Sequence, residues 1–250
     1  MSSSKILLVT GASRGIGAAT AVLAASQGWA VAVNYVANAQ AADGVVQRIR
    51  AAGGTALAVQ ADVAVEADVL RLFATVDKDL GCITGLVNNA GIVDQKARVD
   101  EMTVARWQRM WATNITSSFM CGREAVLRMS SKHGGAGGGI VNLSSAAARI
   151  GSPGQYVDYA ASKGAIDAFT LGLAKEVATE GIRVNAVRPG IIDTDIHASG
   201  GLPDRARDLA PSVPLQRAGS ALEVAQAIVW LLSDAASYTT GTIVDVTGGR

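Results

Sequence analysis

Histidine and cysteine are almost missing from this 250-residue chain, with two of each. That removes most of the side chains from which metal centres are built. Cys82 and Cys121 have no ligand spacing, and their scarcity suits a reducing compartment in which both serve as small buried apolar residues. Aromatic residues make up 4% of the chain, too few for the platforms on which nucleic-acid bases stack. The net charge is +1 and no basic run occurs, so there is no electrostatic footprint for a phosphate polymer. Charged residues are 17% against 49% hydrophobic, a balance that excludes disorder and supports a large buried core. No apolar run approaches the roughly 18 uninterrupted residues of a membrane span, and Met1 to Lys5 lead into a strand without a cleavable apolar segment. A cytoplasmic protein without metal, nucleic-acid partner or membrane anchor is expected.

What the chain does have is glycine, 28 residues of it, punctuating an alternation of short apolar runs and helical stretches. Strands are read at Lys5–Val9, Ala30–Tyr35, Thr55–Gln60, Gly85–Asn88, Ile140–Leu143, Arg183–Val187 and Thr242–Val246. Helices are read at Ile16–Gln27, Ala39–Ala51, Glu66–Leu80, through Trp107 and Trp111 to Arg128, around Tyr159 to Thr179, and at Leu222–Leu232. Five glycines and an alanine from Gly134 to Gly139 read as a flexible connector. This rhythm predicts a doubly wound, parallel seven-stranded α/β sheet of Rossmann type with helices on both faces, all in one domain spanning 1–250.

Two local patterns carry chemistry. The first strand runs into Thr10-Gly11-Ala12-Ser13-Arg14-Gly15-Ile16-Gly17. There Gly11 permits the tight exit, Gly15 lets backbone approach a pyrophosphate, Gly17 allows the helix to pack on the sheet, and the helix N-terminus faces the anion. Far downstream, Tyr159 precedes Lys163 by one helical turn, which stacks them on one face. A phenol with a pKa of about 10 is a poor base at neutral pH. A cation beside it favours the phenolate and makes it a usable proton donor and acceptor. Reducing a ketone needs such a proton as hydride reaches carbon.

With these patterns stand Asp62-Val63, Asn88-Asn89-Ala90-Gly91, Asn114, Ser144-Ser145, Gly181-Ile182-Arg183-Val184-Asn185, Pro189-Gly190 and Gly248-Gly249. In that order the chain resembles the single-domain branch of the short-chain dehydrogenase/reductase family, and within it glucose 1-dehydrogenase-like and 3-oxoacyl-carrier-protein-reductase-like oxidoreductases. The resemblance implies Tyr159 as general acid/base and Lys163 as the group that lowers its pKa and bonds the nicotinamide ribose. It implies Asn114 as holder of a proton-relay water and Ser145 as hydrogen-bond donor to the substrate oxygen. Cofactor contacts would come from Gly11, Ser13, Arg14, Gly15, Ile16, Gly17, Asn34, Tyr35, Asp62, Val63, Asn89, Ala90, Gly91, Tyr159, Lys163, Pro189, Gly190, Ile192 and Thr194. Ser145 stands fourteen residues before Tyr159, where many relatives have thirteen. Aligning from the strand Ile140–Leu143 keeps it in place, whereas counting back from Tyr159 reaches Ala146, which cannot donate. Tyr156 has no lysine four residues on.

The second strand ends in Val33-Asn34-Tyr35-Val36-Ala37-Asn38 without the carboxylate that would bond a ribose 2′-hydroxyl. Arg14 could meet a 2′-phosphate instead, so NADP is favoured over NAD, although Val36 stands where similar enzymes often carry a second arginine. The stretch 193–217, with its glycines and prolines, reads as a substrate lid beyond the strand ends, with His197 as one possible substrate contact. The substrate is read as a small carbonyl compound or alcohol. The helices bearing Asn114 and Tyr159 are apolar on more than one stripe, which predicts a homotetramer or else a dimer. Two competing readings are a cofactor-binding redox sensor without turnover, which would normally lack the tyrosine or lysine, and an epimerase or dehydratase, which would need a further substrate domain.

Overall fold

The computed structural model of the chain describes residues 5–250, apart from the side chains of His197 and Ser199. The serine-rich start and the reading of His197 as a substrate contact lie outside the described residues. In chain order the elements are β1 (Ile6–Val9), α1 (Gly15–Ser26), β2 (Ala30–Tyr35), α2 (Ala39–Ala51), β3 (Ala56–Gln60), α3 (Glu66–Asp79) and β4 (Gly85–Asn88). There follow α4 (Val104–Trp111), α5 (Ser117–Met129), β5 (Gly138–Leu143), α6 (Ala147–Ile150), α7 (Val157–Val177) and β6 (Ile182–Pro189). The chain closes with β7 (Ile192–Asp193), α8 (Ile196–Ser199), α9 (Arg205–Leu209), β8 (Gly219–Ser220), α10 (Ala221–Leu232) and β9 (Ile243–Val246).

Seven strands form one parallel sheet in the order β3-β2-β1-β4-β5-β6-β9. Every residue of β1 and β4 is buried, as expected of strands covered on both faces. Alternation along β1 separates the two layers. Leu7 and Val9 pack with α1, α2 and α10 through Ala21, Val45, Ile49 and Ile228. Ile6 and Leu8 face α3, α5 and α7 through Leu72, Phe73, Ala125 and Val177. This is the doubly wound Rossmann-type α/β fold that the sequence predicts. The chain order reverses between β1 and β4, so the crevice at their carboxyl ends is where such a sheet takes a ligand. A separate parallel pair, β7 with β8, sits beside that crevice.

Three expectations need correction. The helix through Trp111 to Arg128 is broken by a π-helical turn at Ala112–Thr116, with Asn114 at its centre. The glycine run 134–139 is no loose connector. A Cβ on Gly135 would lie 2.4 Å from the Met129 backbone, and one on Gly137 would lie 2.5 Å from the Gly181 carbonyl. Gly137 N also donates to Met129 O at 2.7 Å. Finally, Cys82 is exposed, and only Cys121 is buried as expected. Among the described residues no helix is long and apolar enough to cross a membrane.

Candidate active site

Where β1 ends, Thr10 ties the first turn to the fourth strand. Its hydroxyl accepts from Asn89 N and Ala90 N, both at 3.0 Å. Asn89 Nδ2 in turn donates to the carbonyls of Thr10 and Gly11 at 2.8 and 3.0 Å. Gly17 makes room for that side chain: a Cβ there would lie 2.5 Å from Asn89 Nδ2 and 2.7 Å from Gly11 O. Gly17 belongs to α1, so this close approach brings the start of the helix against the residue that follows β4. Gly11 and Gly15 sit at φ +60 and +56, a region that side chains rarely adopt. Asn34 is fully buried behind the turn, accepting from Gly11 N at 3.1 Å and donating to the Val59 and Ala61 carbonyls at 3.3 and 3.0 Å.

Above these strand ends lies a cavity of about 860 Å³. One wall is Gly11, Ser13, Arg14, Gly15 and Ile16; another is Tyr35 with Val36, Ala37 and Asn38; a third is Asp62 and Val63. Asn89, Ala90 and Gly91 floor it, and Pro189, Gly190, Ile192 and Thr194 close it from the far side. The Asp62 carboxylate accepts from Ala64 N at 2.9 Å, which shapes its turn.

The remaining wall holds the reactive groups. Tyr159, Lys163 and Ser145 all face the cavity. Lys163 Nζ donates to Leu143 O at 2.6 Å and lies 5.7 Å from the centre of the Tyr159 ring. Burial pushes the Tyr159 phenol up, and its hydrogen bond with Ser145 pulls the other way. Burial pushes the Lys163 ammonium down to about 8, with the Asp167 carboxylate opposing. In this state burial, not Lys163, dominates the Tyr159 phenol. The two serines separate cleanly: Ser144 Oγ donates to the Lys163 carbonyl at 3.3 Å, while Ser145 Oγ accepts from Ala147 N at 3.1 Å and meets Tyr159.

Asn114 stands behind this wall, buried in the π turn. Its side chain accepts from Ile92 N at 2.8 Å and donates to Ile92 O at 2.9 Å and Ser162 Oγ at 3.1 Å. A Cβ on Gly91 would meet both Asn114 Oδ1 at 3.4 Å and Lys163 Nζ at 3.5 Å. Asn114 therefore fixes the loop that passes the lysine. Of the expected site residues, Gly17, Asn34 and Asn114 do not line the cavity, and the others do. Not anticipated were Arg109, Gln155, Tyr156, Arg205 and Arg250, which also line it. Tyr156 sits three residues before Tyr159, the only signal the sequence offered for it.

A dinucleotide fits this donor set. The N-terminus of α1 has no side-chain cap and no acidic residue in its first turn, so its free N–H groups remain for a phosphate. Gly11 and Gly15 bare the backbone there, and no carboxylate occurs on the Tyr35–Asn38 wall. Among the described residues no group of three or more His, Cys, Asp or Glu is placed to hold a metal ion.

Comparison with known proteins agrees with this geometry. Residues 11–250 match the family described as Enoyl-(Acyl carrier protein) reductase. The chain is 56% identical to the "Uncharacterized oxidoreductase YgfF" of Escherichia coli K12, over 98% of this chain and 99% of that one. It is 42% identical to the 3-oxoacyl-[acyl-carrier-protein] reductase of Synechocystis, covering 98% and 96%. A solved double mutant of a short-chain dehydrogenase/reductase from Serratia marcescens superposes with a TM-score of 0.88 at 33% identity, over 98% of this chain and 97% of that one. On fold, order of site residues and kinship, the chain belongs to the short-chain dehydrogenase/reductase family of oxidoreductases.

Proposed function

We propose that the protein transfers a hydride between a nicotinamide dinucleotide, NADP in preference to NAD, and a small carbonyl compound or secondary alcohol. The observation that carries this reading is the convergence of Ser145, Tyr159 and Lys163 on one cavity that the glycine turn also lines. The bound cofactor supplies the hydride; the chain supplies everything else. Ser145 and Tyr159 both address the substrate oxygen, so charge developing there is steadied by one hydroxyl as it takes a proton from the other. Lys163 sits over the Tyr159 ring with its ammonium held by Leu143 O, and Asn114 fixes the neighbouring loop so that this geometry persists. The dinucleotide would be held by the α1 N-terminus and Gly15 at its phosphates, by Asp62 and Val63 at the adenine, and by the Pro189–Thr194 segment at the nicotinamide. The whole of 1–250 acts as one domain, and 193–217 serves as its lid. The redox-sensor reading is disfavoured, because a protein without turnover has no use for the complete set.

The test is turnover of a panel of aldehydes, ketones, oxoacyl thioesters and sugars with NADPH and NADH. Tyr159→Phe should keep cofactor binding while reducing kcat by about two or more orders of magnitude. A Phe variant that turns over like the parent would remove Tyr159 from the mechanism.

A further inference from the structure

The cavity is also lined by cations that hydride transfer does not use. Arg205 opens α9, and its guanidinium lies 5.2 Å from the centre of the Tyr156 ring. Tyr156 is buried and is the N-cap of α7, three residues before Tyr159. Both residues line the cavity. The acids that flank Arg205 in sequence are occupied elsewhere: Asp204 and Asp208 pair with Arg207 at 3.0 and 3.2 Å. Among the described residues no carboxylate pairs with Arg205. Arg109, by contrast, is bound to Asp94. Asp195 also faces the cavity but has an interaction of its own. A second cation points the same way: Arg250 lines the cavity, and its Nη1 is buried without a partner among the described residues.

A guanidinium held at a ring keeps its N–H donors for another partner. They form a planar fork matched to a carboxylate, which an ammonium cannot reproduce. Holding such a cation at a partly dry wall is unfavourable until an anion arrives. The cavity lining also includes apolar side chains, among them Val93, Ile150, Ile191 and Leu209. We propose that the substrate is an organic acid, an oxo or hydroxy acid with a compact apolar body. Its carboxylate is held by Arg205 against Tyr156, and its carbonyl or carbinol oxygen meets Ser145 and Tyr159. The inference rests on the reading of that pair as the reacting groups.

The test compares two probes of one shape, cyclohexanecarboxylate and cyclohexanecarboxamide, titrated by calorimetry into the protein with and without NADPH. The acid should bind about tenfold or more tighter, since charge-assisted forks are roughly twice as strong as neutral hydrogen bonds. Arg205→Met should erase the difference, and Arg205→Lys should restore only part of it. NADPH affinity should be unchanged in both variants, which shows that they remain folded. Equal affinity for the two probes overturns the proposal, as does an acid preference that survives Arg205→Met and so belongs to Arg250. Turnover gives an independent arm: 4-oxocyclohexanecarboxylate should outpace its methyl ester, and an ester or neutral oxoacyl thioester that outpaces the acid also overturns it. A protein that binds the acid through Arg205 yet binds no NADPH would sink the oxidoreductase reading and leave the anion site standing.

Discussion

Tyr159 and Lys163 respond to the same burial in opposite directions, because a phenol is neutral and an ammonium charged before each loses its proton. The phenol is pushed up and the ammonium is pushed down to about 8, so Lys163 is the first of the two to titrate as pH rises. For stability the sign is definite: between about 8 and 10.5 the unfolded chain holds a proton that the folded chain has lost, so this group makes stability rise with pH across that window. For activity the loss of the cation should produce an alkaline limb. Asp167 raises Lys163, so Asp167→Asn should move that limb of the kcat profile to lower pH. Arg188, which pairs with Asp167 at 2.7 Å, retains Asp245 at 2.9 Å in that variant. An unmoved or raised limb in the pH–rate profile would contradict the coupling. Arg14 makes a second residue-scale prediction. It is exposed and lines the cavity, and the Tyr35–Asn38 segment that also lines it has no carboxylate, so fluorescence titration should show NADPH binding tighter than NADH, with Arg14→Ala removing the gap. Equal affinities in the parent would discard the argument.

Glycine acts differently from element to element, and substitution should separate its uses. Gly44 lies inside α2 with open space where a Cβ would stand, so Gly44→Ala should stabilise by about 0.5–1 kcal/mol through helix propensity. Gly135 is packed on the Met129 backbone, so Gly135→Ala should cost about 1–3 kcal/mol by overpacking. Thermal or urea unfolding that ranks the two alike would refute this account of the run 134–139. Such distinctions are invisible in the sequence, where both are simply glycine. The main elements were legible because each carries its own period: Ala30–Tyr35, Ala39–Ala51 and Gly85–Asn88 match the observed bounds to the residue. Short pieces were not, since α6, α8, α9 and the β7–β8 pair hold too few residues for a period to show. The π turn depends on Asn114 bonding to residue 92, a tertiary contact without local signature. In the candidate site the same division holds. Residue order revealed the glycine turn and the Ser145, Tyr159, Lys163 set, whereas Arg205 reaches Tyr156 only once the chain has folded.

Taken as a whole, the molecule shows apolar surface where two of its site-bearing helices turn away from the sheet. Phe119 on α5 stacks on Phe169 of α7 with ring centres 3.9 Å apart, yet Phe119 is 47% exposed and Leu171 is 42% exposed. Leu127 and Trp111 are exposed as well. The alternative, that loops of the same chain cover these residues, is not what the fold shows. Not all of the expected stripe faces outward: Ile166 is buried, and Val126 and Leu173 pack on the core. What remains is still a patch shared by two adjacent helices, and contiguous exposed apolar surface on a folded chain marks an interaction site. Pairing the patch with its own copy about a twofold axis would bury both faces at once, and closed symmetry then gives a dimer or, with a second interface, a dihedral tetramer. Light scattering at micromolar concentration should accordingly give a mass of two or four times 25.5 kDa, and Phe119→Asp should lower it by placing a carboxylate in the seam. A parent protein that scatters as a 25.5 kDa monomer would contradict the assembly. A Phe119→Asp variant with unchanged mass would move the interface to another face.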